Sequence, residues 1–143
     1  MSKHYASATW QGNLLKGNGK YKLETSQHQG GYSFTTRFED DKKLSSPEEL
    51  IGAAHASCFS MALAHALDQA GHTPEAIETH AEVTLSKTDS GFAITNILLK
   101  TKGKVPGIEK DTFMDIAGEA KKGCPVSRAL KAVNIELEAE LIS

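Results

Sequence analysis

Apolar and small residues go nearly all the way round one long predicted helix in the middle of the chain. Ser46 can accept a hydrogen bond from a free N–H of the first turn, Pro47 suits the first helical position, and Gly71 suits the position just past the last turn. Between these signals, Leu50–Leu67 leaves no polar face. A helix without a polar face is surrounded by its own protein or by a partner. We therefore expect a buried central helix over Pro47–Ala70.

Alternation of apolar and polar residues predicts strands on both sides of this helix. The pattern is clearest in Asn134–Leu141, where every second residue from Ile135 is apolar and glutamates lie between. The other predicted strands are bounded by turn residues. They are Tyr5–Trp10, Lys20–Thr25, Tyr32–Phe38, Ile77–Thr88 and Phe92–Lys104. In the predicted strand Tyr32–Phe38 the aromatic residues share one face, which leaves Arg37 on the opposite face.

Two further helices are predicted before the last strand. Asp111–Lys122 ends in two lysines followed by a glycine, and Cys124–Lys131 forms a short helix with Pro125 at its first position. The resulting order, βββ-α-ββ-αα-β, indicates an α+β fold in which antiparallel sheets wrap around the long central helix. With 143 residues the chain is long enough for one ordinary domain and short for two. We expect a single domain over 1–143.

Charge and composition narrow the class of partner and the compartment. The formal net charge is −2 and no basic cluster is present, so we expect no nucleic acid partner. His55, Ser57 and His65 interrupt the apolar surface of the long helix, which argues against a membrane span. The first ten residues contain no apolar stretch typical of a signal peptide, so we expect a cytoplasmic protein. In that reducing compartment two cysteines are more often reactive than structural.

These two cysteines are the candidate chemistry. Cys58 lies in the middle of the long helix, where a buried cysteine is commonly just a small hydrophobic residue. Cys124 directly precedes a short helix, whose free N–H groups favour a thiolate, and Lys121 and Lys122 add positive charge nearby. A thiolate and a second thiol are sufficient to reduce a peroxide in two steps, through a sulfenic acid and then a disulfide.

Two other classes of function remain open at this point. His55, Cys58 and His65 fall on one side of the long helix, so a metal-binding protein is conceivable. Zinc sites usually have four ligands and no fourth is evident, so we expect no metal and no cofactor, with both histidines packing or hydrogen-bonding. The second alternative is a non-catalytic dimeric stress or small-molecule-binding protein that uses the same apolar surroundings.

Several segments resemble the OsmC/Ohr family, and the OsmC (osmotically inducible protein C) branch more than the organic-hydroperoxide-resistance branch. The segments are Ser46–Leu63, Gly123–Ser127, Trp10, Thr36–Glu39, Gly91–Thr95 and Val105–Ile108. The resemblance implies a thiol peroxidase that reduces organic hydroperoxides and hydrogen peroxide in oxidative and osmotic stress defence. It also implies an intertwined homodimer. The long helix without a polar face independently indicates a second copy, and we expect active sites that are shared between the two chains. A dithiol reductant of unspecified identity would restore the thiols.

The resemblance also assigns roles to single residues. It makes Cys58 the peroxidatic cysteine and Cys124 the resolving cysteine, with Arg37 and Glu49 completing the site. Burial raises the pKa of a thiol, so Cys58 needs a cation, and the permanently charged guanidinium of Arg37 can supply it. Glu49 can close a capping box with Ser46. It lies half a turn away from Cys58 and about 13.5 Å along the helix, so we expect it to serve another subunit's site by holding Arg37 in a bidentate ion pair.

Overall fold

The computed structural model describes residues 1–142, which form six strands and four helices. Ser143, the end of the predicted domain, lies outside them. The elements are β1 (Ala6–Gln11), β2 (Asn18–Leu23), β3 (His28–Tyr32), α1 (Phe34–Phe38), α2 (Pro47–Gln69), β4 (Ala76–Thr88), β5 (Gly91–Lys104), α3 (Lys110–Gly123), α4 (Pro125–Ala129) and β6 (Asn134–Ile142). The α+β fold class is confirmed. The chain divides into two units, Met1–Leu50 and the part from Ile51 onward. That the whole chain is one domain stays a prediction.

The first unit contains a three-stranded antiparallel sheet. β1, β2 and β3 pair in sequence order, each antiparallel to the next. Gly19 on β2 lies opposite both Trp10 and Tyr32. A Cβ at this position would collide with the Tyr32 ring, so only glycine lets that ring lie across the strand. The Trp10 and Tyr32 rings then pack with their centroids 5.6 Å apart.

One predicted strand is wrong, because most of Tyr32–Phe38 is helical. β3 ends at Tyr32, and Ser33 caps the short helix α1. The Ser33 hydroxyl accepts from the Thr36 amide at 3.2 Å, and the Thr36 hydroxyl accepts from the Ser33 amide at 2.9 Å. This capping box satisfies two backbone donors that a strand would leave to another partner. Aromatic residues at 34 and 38 fit one helical face as well as one strand face, with ring centroids 5.1 Å apart.

The sheet of the second unit is mixed rather than antiparallel throughout. β4 and β5 form a long antiparallel hairpin, but β6 pairs with β5 in parallel, placing Ile97 opposite Ile135 and Leu99 opposite Leu137. The prediction of antiparallel sheets is therefore wrong for this last pair. The physical reason is the connection: α3 and α4 carry the chain back across the sheet, so β6 runs in the same direction as β5.

The core of the second unit joins α2, the sheet and α3. On α2 a stripe with one residue per turn is fully buried and consists of Phe59, Leu63 and Leu67. Its main partners are buried side chains from β5 and α3, namely Ile97, Leu99, Phe113, Ala117 and Ala120. Gly103 on β5 lies directly under the Phe113 ring, where a Cβ would not fit. This packing fixes which face of α2 points into the unit.

The long helix α2 follows its predicted bounds closely, but within the single chain it is buried on one side only. The face opposite the buried stripe exposes Ala53, Ala54, Ser57 and Met61, and the Met61 side chain is 74% exposed. By length and hydropathy α2 could cross a membrane. Its fully buried stripe is instead typical of the core helix of a folded unit. The complete burial that the sequence predicts for α2 would therefore require a second molecule that covers this exposed face.

Candidate active site

The second unit brings the two cysteines together. Cys58 lies on α2, and Cys124 lies between α3 and α4 as the residue that precedes α4. Their side chains share a hydrogen bond, and both are free thiols in the described part of the chain. Cys124 is completely buried, whereas Cys58 is only half-buried. Of the two, Cys58 is therefore the thiol that a molecule in solution can reach.

The surroundings of the two thiols push their pKa values in opposite directions. Burial raises the pKa of Cys124, but hydrogen bonds from the Ser127 amide, the Cys58 thiol, the Ser127 hydroxyl and the Val126 amide outweigh it, so this pKa lies below its ordinary value. Burial raises the pKa of Cys58. The Val126 amide offsets this in part, and the hydrogen bond to Cys124 raises it again. Within this unit Cys124 therefore ionises first, as the residues around it in the sequence indicate.

A buried histidine and serine extend this pair of thiols. His55 on α2 is fully buried, and its Nε2 lies 2.6 Å from Ser127 Oγ. Burial lowers the pKa of His55, so the ring is neutral at neutral pH. The sequence predicts that His55 packs or forms hydrogen bonds, which the structure shows, but it does not indicate Ser127. The spacing along the chain is a signal that could have identified Ser127. His55 lies three residues before Cys58 and Ser127 three residues after Cys124, and residues three apart lie on the same side of a helix.

The metal-binding alternative finds no support in this geometry. His55 is engaged with Ser127, whereas His65, on the same helix, is exposed. Within residues 1–142 no group of three or more histidine, cysteine, aspartate or glutamate side chains is placed to hold a metal ion. The three predicted ligands of α2 therefore do not form a site.

An ion pair lies in the first unit. Arg37 Nη2 and Nε lie 3.0 Å and 3.1 Å from the same oxygen, Glu48 Oε1. The Glu48 side chain is 8% exposed and that of Arg37 40%. The guanidinium also lies 5.1 Å from the centre of the Phe38 ring. Two N–H groups on one carboxylate restrict the guanidinium more than a single contact does. The second oxygen, Glu48 Oε2, is buried and has no donor among the described residues.

The carboxylate that meets Arg37 within this chain is Glu48, whereas the predicted pairing of Arg37 with Glu49 of another subunit stays a prediction. Consecutive helical residues point about 100° apart, so Glu48 and Glu49 cannot both face the same group. The Glu49 amide donates to Ser46 Oγ at 3.1 Å, and its carboxylate accepts from the Ser45 hydroxyl at 2.7 Å. Glu49 thus takes part in capping α2, with Ser45 in the place of the backbone donor that a complete capping box uses.

A mainly apolar pocket of about 470 Å³ opens beside Arg37 in the first unit. Its walls are Trp10, Gly12, Leu14, Tyr32, Ser33, Phe34, Arg37 and Phe38. The Trp10 indole N–H donates to the backbone carbonyl of Gly12, which also lines the pocket, at 3.1 Å, so this donor is already satisfied. A wall of this kind with one cation suits a small molecule that has an apolar body and a polar end.

Comparisons with known proteins agree with the predicted family. The model of the family described as OsmC-like protein matches residues 40–138. The chain is 52% identical over 137 residues to the peroxiredoxin OsmC of Escherichia coli (strain K12), and the match covers 95% of this chain and 94% of that protein. The peroxiredoxin OsmC of Shigella flexneri matches with the same identity and coverage.

Solved structures share the fold. The organic hydroperoxide resistance protein OhrB of Bacillus subtilis aligns with a TM-score of 0.72 at 22% identity, over 96% of this chain and 98% of that one. An OsmC-like protein from Mycoplasma pneumoniae aligns with a TM-score of 0.77 at 16% identity, over 99% of both chains. Sequence relatives, family model and fold agree, and this chain belongs to the OsmC family.

Proposed function

We propose that this chain is a thiol-dependent peroxidase of oxidative and osmotic stress defence. The observation that carries the proposal is the contact between two free thiols of unlike exposure and unlike acidity, Cys58 and Cys124. The names of the relatives support it, since proteins 52% identical to this chain are peroxiredoxins. The proposed location is the cytoplasm, because this reducing compartment keeps reactive thiols in their reduced form.

The reaction uses the thiols in sequence. The Cys58 thiolate attacks one peroxide oxygen, the O–O bond breaks, and the leaving alkoxide takes a proton to become an alcohol, with Cys58 left as a sulfenic acid. The Cys124 thiolate then attacks the Cys58 sulfur and water leaves. Exposure supports this order, because only Cys58 is accessible, and the low pKa of Cys124 suits the second attack. A dithiol reductant supplies two electrons by thiol–disulfide exchange to restore both thiols.

Cys58 needs a cation for the first step, because its surroundings in the second unit raise its pKa. We propose that Arg37 is that cation, whether it comes from the same chain or from a partner. Glu48 supports this role by holding two N–H groups of the guanidinium on one oxygen. A guanidinium close to a sulfur stabilises the thiolate and lowers the pKa of the thiol. The predicted participation of Glu49 stays a prediction, which is tested against Glu48 below.

The proposed substrates are organic hydroperoxides in preference to hydrogen peroxide. The apolar pocket beside Arg37 supports this preference, because its aromatic walls can bury a hydrocarbon tail. Burial contributes about 25 cal/mol for each Å² of apolar surface removed from water. Hydrogen peroxide has no such surface, so the aromatic walls add no free energy to its binding.

We propose that the protein is a homodimer whose active sites are shared between chains. The exposed face of α2 supports this, since Ala53, Ala54 and Ser57 are small and Met61 is a large apolar side chain left 74% exposed. A second copy related by a two-fold axis would cover this face reciprocally. The buried Glu48 Oε2 has no donor among residues 1–142, which also favours a donor from another chain.

The two cysteines can be tested separately. Cys58→Ser should abolish peroxide consumption in the presence of a dithiol. Cys124→Ser should allow one turnover, leaving a Cys58 sulfenic acid that excess peroxide oxidises further, as protein mass measurements would show. Sustained turnover by Cys58→Ser would contradict the assignment. A wild-type protein that consumes no peroxide with any dithiol would favour the non-catalytic binding alternative.

A further inference from the structure

A buried polar chain ends at Cys124, and the reaction described above assigns no role to its histidine, His55. His55 Nε2 contacts Ser127 Oγ at 2.6 Å, and the Ser127 hydroxyl hydrogen-bonds Cys124. His55 and Cys124 are fully buried and Ser127 is 6% exposed. Burying an imidazole and a hydroxyl in an apolar core costs free energy unless each finds a partner. The arrangement therefore indicates a role for these two groups at the sulfur.

The hydrogen bonds run in one direction along this chain. His55 Nδ1 is buried and has no partner among the described residues. A buried N–H without an acceptor is rarer in proteins than an acceptor without a donor, so the ring proton belongs on Nε2. Nε2 then donates to Ser127 Oγ, which leaves the Ser127 proton free to point at the Cys124 sulfur. A sulfur that receives such a donor is stabilised as the thiolate.

We infer that His55 and Ser127 are positioning residues that hold Cys124 ready to attack the Cys58 sulfenic acid, by aiming the Ser127 hydroxyl proton at the Cys124 sulfur. The inference rests on the proposed peroxidase function. In this step the Cys124 sulfur forms a bond to the Cys58 sulfur and the Cys58 S–O bond breaks. The leaving hydroxide regains the proton that Cys124 lost on ionising and becomes water. His55 and Ser127 keep their own protons throughout.

The other groups around Cys124 bear on the same equilibrium. Cys58 on α2 donates a hydrogen bond to Cys124 before the reaction, and this contact changes when Cys58 is oxidised. On α3, the Lys121 ammonium is held by the Ile135 carbonyl at 2.9 Å. The contribution of Cys58 must therefore be removed before the effect of Ser127 on Cys124 is measured.

The test titrates Cys124 in a Cys58→Ala background, where it is the only thiol of the chain. The fraction of thiolate is followed against pH by ultraviolet absorbance and by the Cβ chemical shift of isotope-labelled cysteine. Ser127→Ala and His55→Leu should each raise the pKa of Cys124. His55→Gln should retain the low pKa, because its amide can still donate to Ser127 Oγ. This rescue separates donation from a merely structural role, which both replacements of His55 would disturb.

The same variants are then compared with both cysteines present. After one equivalent of organic hydroperoxide, the rate of disulfide formation at neutral pH should fall about tenfold in Ser127→Ala, since one hydrogen bond to a charged group is lost, and should recover as the pH rises. An unchanged pKa of Cys124 in Ser127→Ala, or an equal rise for His55→Leu and His55→Gln, would overturn the inference. A wild-type protein that forms no sulfenic acid would overturn the peroxidase function instead, and the titration would still report on the chain of donors.

Discussion

Neutralising Glu48 tests which of two neighbouring carboxylates orders Arg37. Glu48→Gln keeps the size of the side chain and removes the charge that receives both guanidinium N–H groups, at 3.0 Å and 3.1 Å. Glu49→Gln is the matched control one residue along the same helix. Among residues 1–142 the Glu49 carboxylate accepts from the Ser45 hydroxyl, and a glutamine oxygen can accept that bond equally well.

The burial of the pair sets the expected magnitude. Exposed ion pairs contribute at most about 1 kcal/mol to the free energy of unfolding, whereas breaking a fully buried pair costs about 3–5 kcal/mol. Glu48 is 8% exposed, but Arg37 is 40% exposed and keeps part of its hydration. We therefore expect Glu48→Gln to cost about 1–2 kcal/mol. Glu49→Gln should lie within about 0.5 kcal/mol of the wild type, as most exposed substitutions do.

The assay measures both stability and chemistry. Urea denaturation gives the free energy of unfolding, and a single-turnover reaction with an organic hydroperoxide gives the rate at Cys58. A loss of about 1–2 kcal/mol in the ordering of Arg37 corresponds to a rate about 5–30 times lower. In a double-mutant cycle, Arg37→Met and Glu48→Gln should be clearly non-additive.

Two results would refute this reasoning. One is a Glu48→Gln protein with wild-type stability and rate. The other is a Glu49→Gln protein that loses as much rate as Glu48→Gln, which would support the predicted role of Glu49 in the site. In that case mixed dimers of a Glu49→Ala chain and a Cys58→Ser chain would recover one intact site if the sites are shared between chains.

Three further predictions concern the thiol, the buried histidine and the exposed face of α2. Arg37→Met should slow the reaction of Cys58 with hydroperoxide at neutral pH and recover at higher pH, because losing the cation raises the pKa of the thiol; a rate unchanged at neutral pH would contradict it. Burial lowers the pKa of His55 from 6.5, so the unfolded state binds the proton more readily. Stability should be complete above pH 6.5 and decline as the pH falls toward the folded pKa, and denaturation of His55→Gln should show less of this decline; an identical decline would contradict the burial argument. Met61→Glu should place a charge on the exposed face of α2, and sedimentation equilibrium should then show a weaker dimer or unfolded chains, whereas a wild-type dimer would exclude this face as the interface.

Local patterns were sufficient to predict most of the elements. Apart from β3 and α1, which replace the predicted strand Tyr32–Phe38, the helices and strands begin and end within two residues of their predicted bounds. Caps, glycines and alternation act over a few neighbouring residues, so they can be recognised without knowing the fold. The same holds for the acidity of Cys124, which depends chiefly on the amides of the residues that follow it.

The site was predicted in part. Cys58, Cys124 and Arg37 were all singled out by the sequence, and the structure brings the two thiols into contact. The sequence does not indicate the contact of Arg37 with Glu48 within the chain, because Glu48 and Glu49 have the same chemistry and the same helix propensity. Only the direction in which each points distinguishes them, and that depends on which face of α2 meets Arg37.

By itself, the sequence determined the α+β class, the long helix and the pair of cysteines, since these follow from periodicity, capping and residue chemistry along the chain. The tertiary structure alone decided that residues 34–38 are helical, that β6 is parallel to β5, and that His55 meets Ser127. Each of these depends on contacts between residues far apart in sequence, or on a local pattern that fits two conformations equally well. Helical and strand periodicity assign aromatic residues at 34 and 38 to one face in either case, so the capping bonds of Ser33 had to settle the choice.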